Sequence, residues 1–196
     1  LIGREVAAVG ASMARNAAEG MGLLDRLILP AGPVRLEVWT DDRVRVRARV
    51  DALALTWTLY GIAERELSLD WGRSLSAGVP VFLTDGKVLR IGRDTVHAAG
   101  LTRSGVILLA DVPAYGEAFR DRALAHEQVH VLQGDHLFTL WTDPLEDIVM
   151  NEFAATRGVG RYIDLGLSTD VMRLFVVLFP EHDERPWELE STFLAR

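Results

Sequence analysis

The chain has 196 residues, 49% of them hydrophobic, a formal net charge of −7 and no cysteine. A disordered chain would be poor in apolar residues, and a nucleic-acid surface would concentrate Lys and Arg, so this composition excludes both. Without cysteine there is no disulfide framework and no thiolate metal site, and any metal must be held by His, Asp or Glu.

The length is that of one domain with a sizeable core. Mean hydropathy is slightly positive. A membrane span needs roughly 18 to 20 unbroken apolar residues. The best run, VMRLFVVLFP over 171–180, is about half that and contains Arg173, so it reads as a buried helix and no transmembrane span is expected. The chain begins at Leu1 with no charged-then-apolar leader, which reads as a processed or trimmed product. A bacterial periplasmic or membrane-peripheral setting is expected ahead of a cytoplasmic one.

Residues 4–28 are rich in Ala and Met and weakly amphipathic. They predict a helix to about Glu19, stopped by Gly20 and Gly22, with PAGP at 30–33 closing the segment. From Val34 the period changes to two. RVRVRARV over 43–50 places Arg43, Arg45, Arg47 and Arg49 on one face and Val44, Val46, Ala48 and Val50 on the other, the pattern of a half-buried strand. The arginine face reads as solvated with acidic neighbours rather than as an anion or lipid-headgroup patch. Apolar parity then flips to Leu53, Leu55, Trp57 and Leu59, which requires a break near Asp51.

ELSLDW at 66–71 alternates again. VPVFLTDGKVLRI at 79–91 predicts a hairpin turning at Asp85-Gly86, and GVILLADV at 105–112 one more strand. From about Tyr115 the pattern becomes helical. The whole reads as one α+β domain: helix and linker over 1–33, a β-rich part over 34–112, and a helical part over 113–196.

Three of the five histidines fall within eleven residues, in AHEQVHVLQGDH at 125–136. His126, Glu127 and His130 form His-Glu-x-x-His. Four-residue spacing on a helix puts both imidazoles on one face, about one turn apart, where they can reach one ion. Glu127 lies about 100° round the helix from His126, beside the ion, where a base for a metal-held water belongs. No Pro or Gly interrupts Glu117 to Gln133, and Ala118, Ala125, Val129 and Leu132 are placed to pack on the core. Zn²⁺ is the expected metal.

This stretch resembles the zinc-binding helix of the zincin metallopeptidases, and its continuing helix is similar to the gluzincin branch. The resemblance is confined to some 30 to 70 residues of the C-terminal half. It implies His126 and His130 as ligands, Glu127 as base and proton shuttle, a carboxylate ligand on a later helix, and a peptide or protein substrate. It also implies that a sheet edge aligns the substrate, a place taken by the strand at 105–111.

A catalytic zinc usually has three protein ligands and one open position, so a third must be found. Glu152 leads. Asp143-Pro144 is a good helix start, and Leu145, Ile148, Val149, Glu152 and Thr156 share one face of the helix it opens. An acid among apolar neighbours is costly to bury unless paired or metal-bound. NEFAAT at 151–156 is similar to the gluzincin segment, although Thr156 stands where that branch has an Asp supporting a zinc histidine. Glu188 and Glu190 are alternatives, with first-turn positions after Pro186 as their structural explanation. His136 is another, placed as the third histidine of the metzincin branch. That branch needs a Gly where this chain has Gln133, and Met150 lacks the Pro of its Met-turn. His97 and His182 are isolated and read as surface or core residues, and nothing selects Arg161 or Tyr162 near the end of the Glu152 helix.

Two functions are therefore expected: a zinc-dependent metallopeptidase-like hydrolase, or a non-catalytic zincin-like subunit docked on a protein partner in a larger, membrane-associated assembly.

Overall fold

A computed structural model describes residues 2–85, 89–91, 94–96, 99–111, 116–138, 148, 150, 158–160 and 162–165. The fold class is α+β, with an N-terminal helix, a strand-rich region and then the histidine helix. Helix α1 (Ile2–Ala18) ends before Gly20, which takes a positive φ of 73°. Strands β1 (Arg26–Ala31) and β2 (Val34–Trp39) form a hairpin on a two-residue loop. Gly32 has φ 61° and Pro33 is locked near −65°, the pairing that a type II′ turn requires. Ser12 of α1 accepts the outward N–H of Ile28, so α1 covers the open edge of β1.

Strand β3 (Arg45–Asp51) pairs antiparallel with β2, and the break expected at Asp51 is there. The chain then enters helix α2 (Ala52–Ala63) rather than a further strand on the opposite parity. Asp51 caps it by accepting the Ala54 N–H at 2.8 Å, which serves one of the orphan donors of the first turn. Leu55, Leu59 and Ile62 form an exposed stripe on it. Strand β4 (Leu67–Leu69) and helix α3 (Trp71–Ala77) come next, with Asp70 capping α3 through the Arg73 N–H.

Among the described residues, strand β5 (Val81–Asp85) does not pair as a hairpin with the segment that follows it. It pairs with β4 on one side and, in parallel, with β9 (Val106–Asp111) on the other. The short hairpin lies further on, between β6 (Leu89–Ile91) and β7 (Asp94–Val96). Burial decides this: Val81 and Phe82 are core residues, and β9 offers them Ile107, Leu108 and Leu109, all buried. Strand β8 (Gly100–Arg103) completes a sheet of order β4-β5-β9-β8. Helix α4 (Gly116–Leu132) widens into a π-helical turn over Gln133–Phe138.

That central sheet is covered on both faces, as an unbroken apolar run such as Val106–Ala110 demands. On one face Ala77 of α3 and Leu124 and Val131 of α4 pack on Val81, Ile107 and Leu109. On the other, Trp57 of α2 packs with Phe82, Val106 and Leu108. Gly61 lets α2 approach, since a Cβ there would lie 2.6 Å from the Phe82 ring.

The second sheet has the order β1-β2-β3-β10, where β10 (Ile163–Asp164) runs parallel to the end of β3. Its burial is the reverse of what apolar alternation alone predicts. Val44 and Val46 are 73% and 64% exposed, while Glu37 on the charged face is 3% exposed. Glu37 faces Arg47, and Trp39 faces Arg45, across the β2–β3 ladder. The Glu37 carboxylate serves Arg26, Arg47 and Arg49 at 3.4, 3.5 and 3.3 Å. Trp39 carries the guanidiniums of Arg26, Arg45 and Arg47 against its ring. The arginines have acidic neighbours as expected, but those neighbours draw the charged face inward. Among the described residues no helix is long and apolar enough to cross a membrane. The run at 171–180 lies outside the described residues.

Candidate metal centre

Helix α4 lies on the central sheet with Leu124 and Val131 in the core, and that docking fixes which face the histidines occupy. Glu127 and His130 are buried and His126 is half-buried. The two imidazoles converge. His126 Nε2 and His130 Nε2 are 3.1 Å apart, with ring centroids 4.7 Å apart and planes at 87°.

That separation can be tested against a shared ion. With Zn–N bonds of about 2.0–2.1 Å, two nitrogens 3.1 Å apart subtend about 95–100° at the metal, close to a tetrahedral angle. The donor pair therefore fits one zinc ion without moving a helix.

His130 Nδ1 lies 2.8 Å from Gln133 Oε1. An amide oxygen can only accept, so Nδ1 carries the proton and the Nε2 lone pair of His130 is turned toward His126. This is the tautomer a ligand needs. Without metal, the His126 Nε2–H donates to that lone pair.

Glu127 faces strand β8. Its Oε2 accepts the Thr102 hydroxyl at 2.8 Å, and the same hydroxyl lies 3.0 Å from the Glu127 carbonyl oxygen. Gly100 makes the approach feasible, because a Cβ there would sit 2.6 Å from Glu127 Cγ and 2.9 Å from Oε1. Among the described residues strand β8, not β9, is the sheet edge beside the histidine helix. Strand β9 is paired on both sides, so the edge expected at 105–111 is displaced to 100–103. The Ala110 N–H donates to Ala99 O. Given the antiparallel register of β8 and β9, Leu101 and Arg103 turn their backbone groups to β9, and Gly100 and Thr102 turn theirs outward.

No family model, curated protein or solved structure matches this chain. The site therefore rests on its own geometry.

Of the expected site residues, His126, Glu127 and His130 are brought together on α4. The backbone of His136 lies in the π-turn. Glu152, Glu188, Glu190, Thr156, His97, His182 and Arg161 lie outside the described residues. Among the described residues no third His, Asp or Glu joins the pair in a metal-holding group. Ile148, expected to share an apolar helical face with Glu152, is exposed, whereas Met150 is buried. Tyr162 is exposed just before β10. Three residues of the site were missed from the sequence. Gln133 carried a signal, an amide three residues beyond the second histidine. Thr102 and Gly100 carried none, since they meet Glu127 across 25 and 27 residues of chain.

Proposed function

We propose that this chain is a zinc-dependent, metallopeptidase-like hydrolase in which His126 and His130 hold the ion and Glu127 moves the proton. The observation that carries this reading is the convergence of the two Nε2 atoms at 3.1 Å, with the His130 tautomer set by Gln133. When bound, Zn²⁺ would lower the pKa of a coordinated water toward about 7. The chain's own groups do the rest. The Thr102 hydroxyl holds one oxygen of the Glu127 carboxylate, which orients it as the group that accepts the water's proton and returns it to the leaving nitrogen. The outward N–H and C=O groups of Gly100 and Thr102 suit an extended peptide laid along β8, next to that carboxylate. Glu152 is the proposed third ligand, with Glu188, Glu190 and His136 as alternatives.

Metal content tests it directly. Protein purified without chelator is expected to carry about one zinc per chain by mass spectrometry, in line with one tetrahedral site, and His126→Ala to lose it. Glu127→Gln is expected to keep the zinc and lose peptide hydrolysis. No zinc after reconstitution, or full turnover in Glu127→Gln, overturns the reading.

One observation favours the second reading, a non-catalytic zincin-like subunit docked on a protein partner. Helix α2 has no charged residue and exposes Leu55, Leu59 and Ile62 at i, i+4 and i+7, the spacing of a helix that meets a partner. A monomeric chain that hydrolyses peptides would eliminate it.

A further inference from the structure

We infer that the outer edge of β3 is a docking site for an extended segment of a partner protein in which acidic and apolar residues alternate. This is independent of the metal centre. The register identifies the edge. The Asp51 N–H donates to Pro33 O, and with the antiparallel β2–β3 register this turns the backbone groups of Arg45, Arg47 and Arg49 inward to β2. The groups of Val46, Ala48 and Val50 therefore face out. Val50 uses its N–H on Tyr162 O, where β10 begins. Strand β10 reaches only Val50 and Asp51, so among the described residues no strand pairs with Val46 and Ala48.

An open edge is a template for another strand, and proteins usually blunt it. Here Val44, Val46 and Ala48 are exposed on one face of that edge, with Arg45 and Arg47 on the other. The Arg45 side chain is well exposed and pairs with Asp41 at 3.0 Å, and Arg47 reaches Glu37 at 3.5 Å while sharing that carboxylate with Arg26 and Arg49. Charge chooses the occupant. In a second copy, pairing two β3 edges would set arginine opposite arginine, which is repulsive at cross-strand distance. A strand with Asp or Glu at alternate positions meets Arg45 and Arg47 with opposite charge, and its intervening apolar residues cover Val44 and Val46.

The probe is a capped peptide alternating glutamate with valine, compared with one alternating lysine with valine. With the wild-type chain the acidic peptide is expected to bind saturably at one site and to slow hydrogen exchange at the Val46 and Ala48 amides. The lysine peptide is expected to bind at least about tenfold more weakly, since like charges oppose it. Val46→Pro deletes an outward N–H that the β2 ladder does not use, and is expected to abolish binding. Equal binding of the two peptides overturns the proposal, as does unchanged exchange at Val46 and Ala48. So does a dimer in which those amides are protected without peptide, which would make the occupant a second copy. The exchange measurement on the wild-type chain decides even if Val46→Pro does not fold.

Discussion

Gln133 Oε1 accepts the Nδ1–H of His130 at 2.8 Å from three residues further along the same chain segment. The histidine is thus oriented from within its own helix, at the point where α4 widens into the π-turn. Removing such a partner typically lowers metal affinity 10- to 100-fold. Gln133→Met keeps the bulk and loses the acceptor, so zinc affinity by chelator competition is expected to fall by about that factor. Gln133→Glu keeps an acceptor and makes the imidazole more basic, so its affinity is expected to equal or exceed the wild type. Loss of affinity in both variants would mean that Gln133 acts only by packing.

Gly100→Ala tests the contact between β8 and α4. Its Cβ would lie 2.6 Å from Glu127 Cγ, so either the strand or the glutamate must move. Overpacking of this kind costs about 1–3 kcal/mol, to be measured by urea unfolding. Because the Thr102–Glu127 hydrogen bond lies at the same place, any peptide hydrolysis is expected to drop further than stability does. Zinc content, which in the proposed function depends on His126 and His130, is expected to persist.

Much of the frame was legible from local pattern, and what failed depended on partners distant in sequence. Local pattern placed α1, β2, β3, β9 and α4, because each carries its own spacing or run of apolar residues. It misassigned the partner of β5, expected as one arm of a hairpin over 79–91, because that pairing was decided by β9 more than twenty residues later. It gave the faces of β3 but took the wrong one as buried. Which face is buried depends on Glu37 and Trp39 across the ladder. Leu53 to Leu59 looked like alternation because Ala and Thr separate the leucines, yet Asp51 is a good N-cap and the segment folds as a helix. At the site, His126, Glu127 and His130 were legible because four-residue spacing is itself a geometry. Thr102 and Gly100 were not, because only the docking of α4 on the sheet brings them there.

Asp51 predicts a pH dependence. Burial raises its carboxyl above the ordinary value of 3.8, the Ala54 N–H and Arg35 oppose the rise, and Asp164 and Asp135 add to it. A group with a raised native value contributes stability that is full below its unfolded pKa and fades as pH rises through the native value. At neutral pH the ionised carboxylate is therefore less at ease in the fold than in the unfolded chain. Asn caps a helix as well as Asp does. Asp51→Asn is expected to be as stable as the wild type or more so at pH 7, with any advantage vanishing on acidification. Asp51→Ala loses the cap and is expected to cost about 1 kcal/mol. Thermal unfolding from pH 4 to pH 8 compares them; a neutral-pH loss in Asp51→Asn equal to that in Asp51→Ala would refute the assignment.

Glu37 is the test of the reversed sheet. Its carboxylate lies between Arg26, Arg47 and Arg49, and Arg49 is itself buried. Surface ion pairs contribute little, but removing one partner of a buried set leaves charge in a poorly solvated place and costs about 3–5 kcal/mol. Glu37→Gln is nearly isosteric, so it removes the charge with little change in packing. The expected result is a urea midpoint lowered by several tenths of the wild-type value, with the slope unchanged. Salt is expected to recover little of the loss, since screening acts weakly on buried groups. A Glu37→Gln chain as stable as the wild type would mean that Trp39 and the β1–β2–β3 ladder hold the arginines inward without the carboxylate.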